Sequence, residues 1–122
     1  MEEIAILVTA ENTVEQIVLE AEDDSLWIPI TDAIGGFMEI VRPRSFNEPY
    51  IMIVDEEGLL KDKPINLWAS FAYGETIVGD VLIMKEGFRN GEPDIIGLES
   101  EDMGIYYDIL MDVISLYFSD ME

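Results

Sequence analysis

The sequence predicts an α+β fold: a mostly antiparallel five-stranded sheet built from two hairpins and a later strand, with a short helix and a long C-terminal helix. Three observations carry this expectation. Strand-like runs rich in β-branched residues come in two pairs, each joined by a polar or proline-containing loop. A Gly-Gly pair closes a short helical stretch, and the last twenty or so residues continue without proline. At 122 residues, 49% of them apolar, the chain is sized for one domain, residues 1–122, whose core needs neither disulfide nor metal.

Residues 3–10, EIAILVTA, and 14–21, VEQIVLEA, read as a hairpin around the polar loop Glu11-Asn12-Thr13. Alternation in the second run is imperfect, so one strand face is expected to be buried and the other partly covered. Glu22-Asp23-Asp24-Ser25 offers helix-start chemistry, with acids suited to the positive end of a helix dipole. Pro29 then falls in the first turn, where its missing N–H costs little, and the helix should stop after Ile34 at Gly35-Gly36.

FMEIVRP (37–43) and YIMIVDEE (50–57) form the second expected hairpin, joined by a loop with Pro43 and Pro49. Leu59 to Gly74 reads as a long connection with about one helical turn. Ile77 to Met84, IVGDVLIM, is the fifth strand, with Gly79 as a bulge or a close backbone approach. Residues 86–98, with Gly87, Gly91, Pro93 and Gly97, read as a surface loop. Ser100 is the expected N-cap of the last helix, followed by Glu101 and Asp102.

At about 100° per residue, Glu101, Gly104, Asp108, Asp112, Ser115 and Ser119 share one narrow stripe of that helix. The rest is nearly all apolar or aromatic. A helix lying on a sheet needs an apolar arc of only about 100°, so Tyr106, Tyr107, Met111, Ile114, Tyr117 and Phe118 supply more than one sheet face can use. Two readings cover the surplus: a homodimer or docking face made by Tyr107, Met111, Ile114 and Phe118, or burial under the connection 59–74.

The composition excludes much enzymology. With no cysteine and no histidine, the chain has no thiol nucleophile, no thiolate zinc site and no imidazole base or ligand. No catalytic residue, cofactor or metal site is expected. An acidic N-terminus, MEEIAILV, is unlike a secretory signal, and no apolar run approaches the roughly 18 residues of a membrane span, so a cytoplasmic protein is expected.

Twenty-seven acids against six bases give a net charge of −21. All six bases, Arg42, Arg44, Lys61, Lys63, Lys85 and Arg89, lie in the middle of the chain, so the two flanks carry −19 of that charge. Such a field repels anionic lipid and nucleic acid alike, because nucleic-acid binding relies on cations that displace counterions from phosphates. It favours a basic partner, and a nucleic-acid-binding protein above all, since an array of carboxylates imitates an array of phosphates. The acids singled out for partner contact are Glu22, Asp23, Asp24, Glu101, Asp102, Asp108 and Asp112.

Other constellations have plainer readings. Asp55-Glu56-Glu57 and Glu22-Asp23-Asp24 lack the spacing of a calcium loop and read as solvated turn acids. Asp80, in an apolar strand, is an acid-base candidate on burial alone, with an outward-facing edge residue as the plainer reading. Gly35-Gly36 follows a helix and precedes a strand, the wrong order for a phosphate-cradling loop. Trp27 and Trp68 read as core anchors.

The stretches ITDAIGGFMEIVRP, YIMIVDEEGLLKDKPINLWAS and ETIVGDVLIM resemble the domain of unknown function 3846 family over about residues 3–86. The shared features are Gly35-Gly36 before Glu39, the Asp55 to Gly58 turn followed by a lysine, the Asn66 and Ala69 segment, and the Ile77 to Gly79 strand entry. The resemblance implies a setting in phages, plasmids and mobile elements, and no catalytic or binding residue. The expected function is therefore non-enzymatic: an acidic binding protein, as a DNA-mimic inhibitor of a restriction, CRISPR or repressor component or an immunity protein against a nuclease toxin. The alternative is an adaptor module that dimerises or docks through the C-terminal helix.

Overall fold

A computed structural model describes residues 2–44 and 47–120, the side chains of residues 117–120 excepted. Two strands, β1 (Glu2–Val8) and β2 (Val14–Glu20), pair antiparallel from Glu2↔Glu20 to Val8↔Val14. Helix α1 (Trp27–Ile34) follows, then the hairpin of β3 (Met38–Val41) and β4 (Tyr50–Asp55). Helix α2 (Leu67–Tyr73) leads to a third hairpin, β5 (Val81–Arg89) and β6 (Glu92–Ile96), and α3 (Met103–Asp120) is the last helix. The main sheet order is β2-β1-β5-β4-β3, every pairing antiparallel, with β6 beside the second half of β5.

Alternation along the strands makes two cores. Ile6, Val8, Met52, Val54, Val81 and Ile83 point to one face, where α2 and α3 add Trp68, Ala69, Ala72, Ile109 and Val113. Ala5, Leu19, Ile51, Ile53, Leu82 and Met84 point to the other, where α1 adds Ile30 and Ile34. The central strands β4 and β5 are thus covered on both sides, so their sequences, YIMIVD and VLIMK, are apolar runs without alternation.

The fold class and the first four strands follow the sequence, and four local expectations are corrected. Residues 86–98 hold a strand pair in place of a surface loop: Asn90 (φ 54°) and Gly91 (φ 79°) make a two-residue turn, and Pro93 is tolerated in β6 as the outer strand. The connection 59–74 contains a full helix, because the Asn66 side chain accepts the Ala69 N–H at 3.0 Å as an N-cap. Asp23 and Asp24 do not start α1: both have positive φ in a tight turn closed by reciprocal Glu22 and Ser25 backbone bonds. Trp27 is 48% exposed and anchors no core, whereas Trp68, at 2%, does.

The start of α3 also differs by one residue. Glu99 is the cap, and a short 3-10 turn (Ser100–Asp102) precedes α3. Asp102 returns a side-chain bond to the Glu99 N–H, completing a capping box.

Candidate functional site

The residues that carry the family resemblance converge on one structural latch. Asp55 at the end of β4 is buried, and its carboxylate receives Lys63 Nζ at 2.7 Å, Lys61 Nζ at 3.0 Å and the Glu57 N–H at 2.9 Å. Burial alone raises a carboxyl pKa, but the two lysines and the amide overcome it and hold Asp55 at about 2. The same ammonium groups donate to the last carbonyls of α1: Lys63 to Ile34 at 2.9 Å, and both lysines to Gly35. Asn66 ties the latch to the sheet by donating to the carbonyls of Val8 and Gly79 at 3.0 and 2.9 Å. Gly79, with φ 79°, lets the Lys63 stem pass: a Cβ there would lie 2.8 Å from Lys63 Cδ.

A second buried pair fixes α3. Lys85 and Tyr50 are cross-strand partners, and both reach Asp102, Lys85 Nζ at 2.8 Å and Tyr50 Oη at 2.7 Å. The bond to Asp102 holds the Lys85 pKa above its ordinary value and pushes Tyr50 up to about 12, with burial adding to the latter. Asp102 itself is disfavoured by burial but lowered on balance by Lys85, the Glu99 amide and Tyr50. At 6% exposure, Asp102 is an anchor and not a surface acid, which corrects its expected role in partner contact.

Three further ion pairs join Arg42 to Glu86, and Arg89 to Glu3 and Asp94, the latter two at 2.7 and 2.9 Å. Five of the six basic residues are thereby engaged within the fold. Asp80 is a clip as well, accepting the Ala10 N–H at 3.0 Å and holding the first hairpin loop to the entry of β5.

The other predicted partner-contact acids are exposed, but in two groups. Glu101, Asp108 and Asp112 lie at and along α3, on one side of the sheet. Glu22, Asp23 and Asp24 lie in the turn before α1, where Asp24 lines a recess with Trp27, Met38 and Ile95 on the other side. Sequence reasoning passed over Glu2 and Glu20, an exposed pair placed directly opposite each other in β1 and β2. Like charges in that position are destabilising, and the strand register, once known, is the signal that finds them.

The apolar surplus on α3 is not covered by α2. Tyr107 is 64% exposed, Met111 62% and Ile114 39%, while Ile109 and Val113 face the core. The Phe118 side chain, assigned to the same face, lies outside the described residues. A groove of about 530 Å³ on the α1 side is lined by Ile40, Phe88, Pro93 and Ile95. Its two carboxylates, Glu86 and Asp94, are held by Arg42 and Arg89. Among the described residues no group of three acids stands close enough together to hold a metal ion, and no helix is long and apolar enough to cross a membrane.

A family model described as a domain of unknown function, DUF3846, matches residues 4–111. No curated protein matches the chain. Among solved structures, one described as the crystal structure of small RNA methyltransferase HEN1 is similar with a TM-score of 0.64 and 20% identity. The likeness covers 89% of this chain but 16% of that one, and at this identity it concerns the fold alone.

Proposed function

The chain belongs to the DUF3846 family, and for this member we propose a non-enzymatic role: an acidic binding protein that occupies a cationic site on a nucleic-acid-handling protein. The observation that carries the reading is how the charge is spent. Five of the six bases are drawn into pairs with Glu3, Asp55, Glu86, Asp94 and Asp102, while Glu101, Asp108 and Asp112 on one side and Glu22, Asp23 and Asp24 on the other stay at the surface. A surface of this kind steers cationic partners and repels nucleic acid itself. A restriction, CRISPR or repressor component, or a basic nuclease toxin, has the required chemistry, and a phage or mobile-element setting in the cytoplasm belongs to the same proposal.

The test is affinity capture on the tagged protein from a bacterial lysate, with salt-gradient elution, followed by competition with duplex DNA. A basic DNA- or RNA-binding protein that leaves as salt rises, and that duplex DNA displaces, is the expected result. Recovery of a neutral partner that resists salt sinks the reading. A second reading, an adaptor that dimerises or docks through α3, is favoured by the exposure of Tyr107, Met111 and Ile114.

A further inference from the structure

The exposed arc of α3 has two halves. At about 100° per residue, Ile114, Tyr107 and Met111 fall within roughly 60° of one another, and Asp108 and Asp112 fall in the next 100°. By rise, Tyr107 to Ile114 spans about 10 Å. Gly104 lies between the halves, and a Cβ added to it would meet nothing within 4 Å. Tyr107 is braced by an edge-on contact with Tyr106, ring centroids 5.5 Å apart at 81°, while Tyr106 leans on β2 through its hydroxyl and the Val14 carbonyl. The face is thus an apolar stripe with one pre-positioned aromatic, bordered along one side by carboxylates.

That border selects the occupant. A second copy would bring Asp108 and Asp112 of two chains, each of net charge −21, to the rim of one seam, and like charges so placed cost affinity. A lipid surface is disfavoured too, because interfacial helices carry Lys and Arg beside their apolar stripe, and this one carries Asp. A helix with large apolar residues on one side and Lys or Arg beside them matches both halves at once. We infer that the Tyr107-Met111-Ile114 face of α3, with Asp108 and Asp112, docks a basic amphipathic helix of the partner.

This rests on the acidic-surface reading for the sign of the partner's charge, and it adds an apolar anchor that a phosphate mimic alone does not need. The probes are three fluorescein-labelled peptides of roughly 18 residues, five helical turns: an amphipathic Leu/Lys helix, the same composition scrambled to abolish its apolar stripe, and oligolysine. Binding to the full chain is read by anisotropy at low and high salt. The variants are the Tyr107→Gln, Met111→Gln pair and Met111→Gln alone, with helicity checked by circular dichroism and mass by sedimentation.

The amphipathic peptide should bind about tenfold or more tighter than the scrambled one and keep part of that advantage in high salt. The double variant should erase the advantage and leave oligolysine binding unchanged, with the single variant between. Equal binding of the two peptides, with no effect of either variant, overturns the inference while salt-sensitive oligolysine binding keeps the acidic-surface reading. If no cationic peptide binds, both fall. A wild-type dimer that the double variant converts to monomer gives the face to a second copy and overturns the inference as well.

Discussion

Gly36 and Asp55 show how tightly single residues constrain this fold. A Cβ on Gly36 would stand 2.4 Å from the Asp55 carboxylate, which is itself pinned by Lys61 and Lys63. Gly36→Ala should therefore cost about 3 kcal/mol in urea unfolding, since overpacking and a disturbed buried ion pair act together. Gly104→Ala should do the reverse and add about 0.5–1 kcal/mol, because it meets open space in a helix. The pH dependence of the latch has a definite sign. The folded pKa of Asp55 is about 2 against an ordinary 3.8, so its contribution is present above about pH 3.8 and lost as pH falls through 2. The stability gap between wild type and Asp55→Asn should be widest above pH 4 and close towards pH 2; a gap that does not change with pH would show that the pair contributes nothing. Tyr50 works at the other end. Its pKa rises from 10.0 to about 12, so its contribution is present below pH 10 and lost as pH rises through 12.

Helix α2 depends on one side chain. Asn66 caps it, and the same amide joins Val8 to Gly79 across the β1–β5 entry, at 1% exposure. Asn66→Ala removes the cap and leaves two carbonyls without these donors, so a loss of about 2–4 kcal/mol in chemical denaturation is expected. A loss within the roughly 0.5 kcal/mol typical of surface substitutions would mean that the bonds to Val8 and Gly79 contribute nothing. This element was hard to read in the sequence for a physical reason. Seven residues, LWASFAY, give too few turns for a periodic pattern, and the cap that starts them is recognisable only once Val8 and Gly79 are known to be its other partners. The missing strand β6 is a different case. Asn90-Gly91 was there to be read as a hairpin turn, but the glycines and proline around it outweighed that signal. By contrast, α1 and its Gly35 stop, the first hairpin and the length of α3 were legible, because each rests on neighbours in sequence.

At the scale of the molecule, the acids could be counted from the sequence but not placed. Asp102 and Asp108 lie six residues apart, yet one is buried against Lys85 and the other faces solvent. Glu22 to Asp24 and the α3 acids lie on opposite sides of a sheet whose strand order no local pattern declares. With five of the six bases paired internally, the remaining surface charge repels itself, and this makes stability and binding respond to salt in opposite directions. Screening at about 0.5 M salt, where the Debye length is a few ångströms, relieves repulsion between exposed acids but hardly touches Lys85–Asp102 at 2.8 Å in the interior. Raising sodium chloride from low millimolar to that level should lift the melting temperature by roughly 3–8 °C, equivalent to about 1 kcal/mol or more for a domain of this size. The same change should weaken capture of a cationic partner. A melting temperature that stays flat or falls would mean that the exposed acids are too dispersed to form a field, and the acidic-surface reading would lose its physical basis before any partner is identified.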